Sequence, residues 1–394
     1  GGSMRSSFAL SGLLLGAFFS TAVYAQDGDT TTNTDYEVIS APALSSDEIR
    51  SEVLIEIASN GQQLVAVGAH GNVIRQDSDG NWVQADVDSS VLITSVDFAN
   101  AEKGWATGHH GVILTTEDGG QSWTRQLDGF QLMELEKAFY QKKVSALQAQ
   151  IEKEEDPEVI GELEWQLEEA QFQISNIEVA EEEGPSKPFL DILALNEQTA
   201  FAIGAYGTFL KTTDGGANWQ VISDKLENPG GYHLNAIIAR GNDFFIVGEA
   251  GLLFSSDDKG ENWTRLESPY RGSLFGAHLD NSDNLWIYGL RGNAYVSSDK
   301  GQSFEQVETG TGVNLSAGVS TESGDQLIVG HSGTILKVDA ELNVEALRHP
   351  SGSVMTDIVV VNDGEWLMTG RSGLLHWPAK VTEDEALASQ QGAQ

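Results

Sequence analysis

The strongest constraint on this chain is a phrase that it writes seven times. "VGAHGNVIRQDSDGNW" ends at Trp82, "GHHGVILTTEDGGQSW" at Trp123, "IGAYGTFLKTTDGGANW" at Trp219, "VGEAGLLFSSDDKGENW" at Trp263 and "YGLRGNAYVSSDKGQSF" at Phe304. Two shorter copies, "VGHSGTILKVD" and "TGRSGLLHW", end at Asp339 and Trp377. The second glycine of each G-x-y-G falls at Gly71, Gly111, Gly207, Gly251, Gly292, Gly333 and Gly373. Successive copies stand 40, 96, 44, 41, 41 and 40 residues apart, so one gap holds an insertion and the rest are near-constant. Such a period means a stack of equal units, none of which buries its apolar faces alone.

Each unit reads as four short strands. In the fourth they are "HLNAIIA", "DFFIVG", "LLFSS" and "NWTRLE", separated by Gly, Asp and Asn turn signals. Four strands per 40 residues predict an all-β fold, a seven-bladed β-propeller of four-stranded blades. The seventh unit lacks its outer strand, because Pro378 and a polar tail follow Trp377. "DYEVISA", Asp35 to Ala41, is expected to supply that strand and close the ring.

The acidic half of the phrase is mechanical. In Thr116 to Trp123 the Asp opens a tight loop, accepts backbone N–H groups and hands over to glycines that tolerate positive φ. The closing aromatic tucks against a neighbouring strand. Asp118 with Trp123, Asp214 with Trp219, Asp258 with Trp263 and Asp299 with Phe304 are therefore structural Asp boxes. The G-x-y-G turn joins the second and third strands and so lies at the opposite end. Its variable positions, with the nearby Arg271, offer His70, His109, His110, Tyr206, Glu249, Arg291, His331 and Arg371 as a polar partner-binding rim. No H-x-H spacing or adjacent carboxylate fixes a metal geometry, so no metal and no cofactor is expected.

Between the second and third units, residues 129–185 shift to Glu, Gln, Leu, Ala and Lys. Tyr140, Val144, Leu147 and Ile151 recur at helical spacing, as do Ile160, Leu163, Leu167, Ala170, Ile174 and Ile177. These stripes predict an antiparallel α-helical hairpin turning at Asp156-Pro157. Met133, Phe139, Trp165 and Phe172 lie outside or beside its seam and mark it as a docking arm.

The 394 residues are 40% hydrophobic, enough for a substantial core, and carry a net charge of −37. That charge repels nucleic acid and anionic lipid surfaces. The absence of cysteine excludes thiol catalysis, disulfides and cysteine-metal sites. Residues 1–3 read as a cloning scar. From Met4, an arginine, the apolar run Phe8–Phe19 and Ala22-Val23-Tyr24-Ala25 read as a signal peptide over 4–25. The expected location is the periplasm, with secretion as the alternative. The remaining divisions are an N-terminal segment over 26–44, blades 1–2 over 45–128, blades 3–7 over 186–379 and a disordered tail over 380–394.

The BNR repeats, Asn228 to Leu234 ("NPGGYHL") and Ser268 to Gly276 ("SPYRGSLFG") resemble the photosystem II stability/assembly factor family and its non-photosynthetic bacterial relatives. The resemblance runs from about residue 45 to 378. It implies a non-enzymatic seven-bladed scaffold that binds membrane-protein subunits during assembly. Arg271, Arg291 and Arg371 are the nearest matches to the arginine patch of photosynthetic members, and the hairpin is foreign to them. The implied partner is a different membrane protein complex, of the RND (MMPL-like) transporter type, met by a chain that is a monomer on its own. The rival class is a secreted glycoside hydrolase, since sialidases also carry Asp boxes. Such an enzyme needs an arginine cluster, a Tyr–Glu nucleophile pair and an acid. Here the Arg-Ile-Pro segment is missing and seven repeats do not match six blades.

Overall fold

The computed structural model describes residues 34–46 and 48–380. The expected leader and the tail from 381 lie outside the described residues. Seven strands open seven sheets: β1 (Leu54–Ser59), β2 (Ile93–Phe98), β3 (Phe189–Ala194), β4 (Leu234–Arg240), β5 (Leu274–Leu279), β6 (Leu315–Ser320) and β7 (Met355–Asn362). In each sheet, numbered like its first strand, later strands add antiparallel in chain order. Sheets 1 and 3 to 6 have four strands, sheet 7 has three, and sheet 2 gains Asp86–Val87 running parallel to its outer strand.

The core is divided. Among the described residues seven apolar clusters lie one between each neighbouring pair of sheets, from Val65 and Trp123 between sheets 1 and 2 to Leu54, Ile74 and Leu367 between sheets 1 and 7. That last cluster brings the ends of the series together. It is reinforced by Thr356 Oγ1 donating to Leu54 O at 3.2 Å and Thr369 Oγ1 donating to Ile55 O at 3.1 Å. Each sheet thus covers both faces with its neighbours, which a lone sheet cannot do.

The first glycine of G-x-y-G has the same job in all seven copies. A Cβ on Gly68, Gly108, Gly204, Gly248, Gly289, Gly330 or Gly370 would fall 2.0–2.6 Å from a carbonyl oxygen just before the first strand of its own sheet. That carbonyl accepts the N–H of the next turn residue, as in Ala69 to Val53 at 3.0 Å and Glu249 to His233 at 2.9 Å. Each first strand then carries a bulge at its second residue, between Leu54 and Glu56 in β1 and between Met355 and Asp357 in β7. The bulge shifts which side chains face inward. Gly248→Ala is expected to cost about 1–3 kcal/mol through this overlap, read as a lower urea midpoint. Gly312→Ala, where a Cβ meets open space, should be neutral, and equal effects would sink the close-approach argument.

One expectation needs correction. Residues 35–41 do not form the fourth strand of sheet 7. Thr34–Ser40 is a helix, α1, and sheet 7 keeps three strands. A helical turn puts Tyr36 and Ile39 on one face, whereas a strand would send them to opposite faces. Ile39 is buried between sheets 1 and 2, and Val38 O accepts the Ser90 N–H at 2.8 Å. The chain touches sheet 7 only later, where Leu374 N–H donates to Arg50 O at 2.8 Å. The outer edge of that sheet carries Trp377 stacked on Trp366 at 5.8 Å.

Candidate functional site

The Asp boxes are closed hydrogen-bond knots. Asp118 Oδ1 accepts from Thr116 Oγ1 at 2.8 Å and from Ser122 N–H at 2.9 Å, and Thr116 Oγ1 accepts the Gly120 N–H at 2.9 Å. Asp214, Asp258 and Asp299 repeat this with Asn218, Asn262 and Ser303. These donors hold Asp258 and Asp299 down at about 2, so both stay ionised acceptors. Trp123 and Trp219 are buried, while Phe304 is partly covered.

At the other end, the second variable residue of six turns adopts the left-handed conformation without being glycine. His70, His110, Tyr206, Ala250, Arg291 and Ser332 have φ of 56–58°. His70, Arg271, Arg291 and Arg371 are exposed around this end, and Tyr206 is 64% exposed. Tyr206 and Glu249 are linked by a residue that the sequence reading missed, His233. Its Nδ1 accepts the Tyr206 N–H at 2.8 Å, its ring meets Tyr206 edge-on at 4.8 Å, and its own N–H donates to Glu249 at 3.3 Å. His331 lines the mouth of the central channel.

His109 and His110 do not stand on the open rim with the others. His110 Nδ1 lies 2.8 Å from Pro185 O and its ring meets Tyr36 of α1 edge-on. Burial pushes His109 down to about 4. The insertion leaves and returns above them. Among the described residues no group of three His, Asp or Glu is placed to hold a metal.

The first strands enclose a channel of about 590 Å³. Its wall carries four carboxylates, and each bonds to the following sheet. Glu56 accepts from Val96 N–H at 3.2 Å, Asp97 from Ala194 at 2.7 Å, Asp191 from Ile237 at 2.8 Å and Asp357 from Ile57 at 3.0 Å. On the other arc, Asn235 Nδ2 donates to Leu274 O at 2.8 Å and His278 Nε2 lies 2.7 Å from Gln326 Oε1. Burial raises all four acids, Asp97 to about 6, and mutual repulsion adds to it at Glu56 and Asp191. Among the described residues no lysine or arginine lines the channel to offset them.

The insertion is two helices, α2 (Gly129–Lys153) and α3 (Pro157–Glu183). Asp128 and Gln131 form a capping box on α2, and Asp156 caps α3 ahead of Pro157. Lys137 near the start of α2 pairs with Glu181 near the end of α3 at 3.1 Å, so the helices run back along each other. Leu147, Ala170 and Ile177 are buried in their seam, and Leu132 joins the core between sheets 2 and 3. Met133 and Phe139 are half-buried, Phe139 against Tyr140 at 5.1 Å. Trp165 and Phe172 are exposed, and so is Val179, which the sequence reading did not single out.

Sheets that pack face to face around a channel, each fastened by the same turn, define an all-β propeller. Solved propellers agree: a structure titled "YCF48 bound to D1 peptide" is 16% identical with a TM-score of 0.57, covering 87% of this chain and 100% of that one. YCF48 from Cyanidioschyzon merolae gives 0.56 at 14% identity over 83% of this chain and 95% of that one. The WD40 propeller of Doa1 gives 0.55 at 9% identity over 86% and 95%. In sequence, the family described as Photosynthesis system II assembly factor YCF48 matches residues 74–150 and 168–277. Over these residues the chain is similar to the photosystem II assembly factor family of BNR-repeat proteins. The chloroplastic Photosystem II stability/assembly factor HCF136 of Arabidopsis thaliana is 26% identical over 204 residues, 49% of this chain and 46% of that one. The Photosystem II assembly lipoprotein Ycf48 of a Picosynechococcus strain is 22% identical over 315 residues, 66% of this chain and 88% of that one. The chain spans about half the length of the plant relatives it matches.

Proposed function

We propose that this chain is a non-enzymatic scaffold whose seven sheets act as the blades of one closed propeller, with residues 129–185 as a projecting arm, and that it holds a membrane-protein complex during assembly. The observation that carries this is the repeated left-handed turn. Glycine adopts that conformation without strain, whereas other residues cost of order 1 kcal/mol or more there. The rim nevertheless spends it on His70, Tyr206 and Arg291, side chains suited to recognition. Relatives named as assembly factors, and the solved relative bound to a D1 peptide, support a membrane-protein client. The client class we infer is an RND-type transporter met on the exported side of a membrane. None of the described helices is long and apolar enough to cross one.

The test is crosslinking and pulldown from native membranes with the mature chain and with residues 130–184 replaced by a short linker. Recovery of one membrane complex by the full chain, weakened at least tenfold without the arm, is the expected result. Recovery of no membrane protein by either form overturns the reading.

A further inference from the structure

The arm carries an apolar face on which none of the described residues packs closely enough to bury it. Of the nine large hydrophobic side chains exposed among the described residues, four lie on α3: Val159, Trp165, Phe172 and Val179. The last three are spaced by seven residues and are 54%, 59% and 53% exposed. Seven residues fall about 20° short of two helical turns, so the three form one stripe about 21 Å long. Leu163, Leu167, Ala170, Ile174 and Ile177, the seam with α2, fall on the opposite side. A solvated helix face of an arm this acidic has no use for an indole and a phenyl ring at heptad spacing.

The surroundings select the occupant. α3 carries nine glutamates and no lysine or arginine in 27 residues. Glu168 flanks the stripe on one side, with Glu162 and Glu169 on the other. A second copy of α3 would bring like charges together, and an anionic lipid surface would be repelled. A helix with its own heptad stripe, bordered by Lys and Arg, meets both the knobs and the charge. We propose that the outer face of α3 docks a basic amphipathic helix of the client, with Trp165, Phe172 and Val179 as its anchors. This rests on the scaffold reading and names the chemistry its arm recognises.

The probe is a labelled 21-residue peptide with leucine at heptad positions and lysine beside them, titrated against the whole mature protein by fluorescence anisotropy. Controls are a lysine peptide of the same composition with the heptad scrambled, and a glutamate-flanked version. The heptad lysine peptide should bind at least tenfold more tightly than either, weaken with salt, and lose about tenfold or more in the Trp165→Ala/Phe172→Ala variant. That variant should keep the parent Tm, because both side chains are exposed. Equal binding of scrambled and heptad peptides, or binding untouched by the double variant, overturns the proposal. So does a concentration-dependent dimer in sedimentation that the variant abolishes, which would assign the stripe to a second copy. In the membrane pulldown, equal client recovery by parent and variant defeats this proposal alone, whereas no recovery by the parent defeats the scaffold reading beneath it.

Discussion

Trp123→Ala is expected to cost about 3–5 kcal/mol, a large part of the roughly 5–15 kcal/mol that holds a typical fold together. Trp123 is 1% exposed and packs edge-on against Phe98 at 6.0 Å in the cluster that joins sheets 1 and 2. Its Nε1 donates to Gly120 O at 3.0 Å, so the ring also ties down its own Asp-box turn. Phe304 occupies the same place in sheet 5 but is only partly covered. Phe304→Ala should therefore cost much less, about 1–2 kcal/mol. Urea unfolding of both variants checks this, and Trp123→Phe should recover much of the loss. Equal costs at the two sites would show that the box aromatics do not fasten neighbouring sheets by burial.

The second large effect is a dependence on pH set by the channel. Glu56, Asp97, Asp191 and Asp357 bind protons more readily folded than unfolded. Their contribution is full below the ordinary carboxylate range and is lost as pH rises through their raised values, because ionised acids facing one another oppose the closed channel. Buried histidines act in the opposite direction. His109 and His278 are pushed down to about 4, so acid costs stability once pH falls below about 6.5, where the unfolded chain binds those protons. Between pH 6.5 and 8.5 the acids act without that opposition. Tm should fall by roughly 3–6 °C over this interval, and the Asp191→Asn/Asp357→Asn variant, which keeps an acceptor oxygen for Ile237 and Ile57, should flatten the slope. A parent Tm that is level or rises over the interval would mean that the carboxylates are not strained by their burial.

The turns and boxes were legible because each is local. G-x-y-G needs its first glycine where a carbonyl passes, and T/S-x-D-x-G-x-x-W closes its bonds within eight residues. The arm was legible because two apolar stripes of period 3.5 admit one pairing. The channel acids were not. In "LIEIAS" or "MTDIVV" a lone acid reads as facing solvent by simple alternation, and only the bulge just before it turns it inward. Their recurrence in four first strands was the available signal. "DYEVISA" misled for a related reason: Tyr36 and Val38 alternate like a strand, Tyr36 and Ile39 pair like a helix, and the pocket between sheets 1 and 2 decided. His110 and Pro185 meet across 75 residues, beyond what a turn motif reveals. Val179 was passed over because it is small, although it completes a heptad with Trp165 and Phe172.

Among the described residues sheet 7 neither lends a strand to sheet 1 nor borrows one from it, so the first and last sheets touch there without being woven together. The join is a patch of side chains and a few bonds such as Asp357 to Ile57. A force drawing the two termini apart would load that join before any ladder of backbone bonds, and the circle would part there like a clasp. Anything that grips sheets 7 and 1 at once would act as the missing pin.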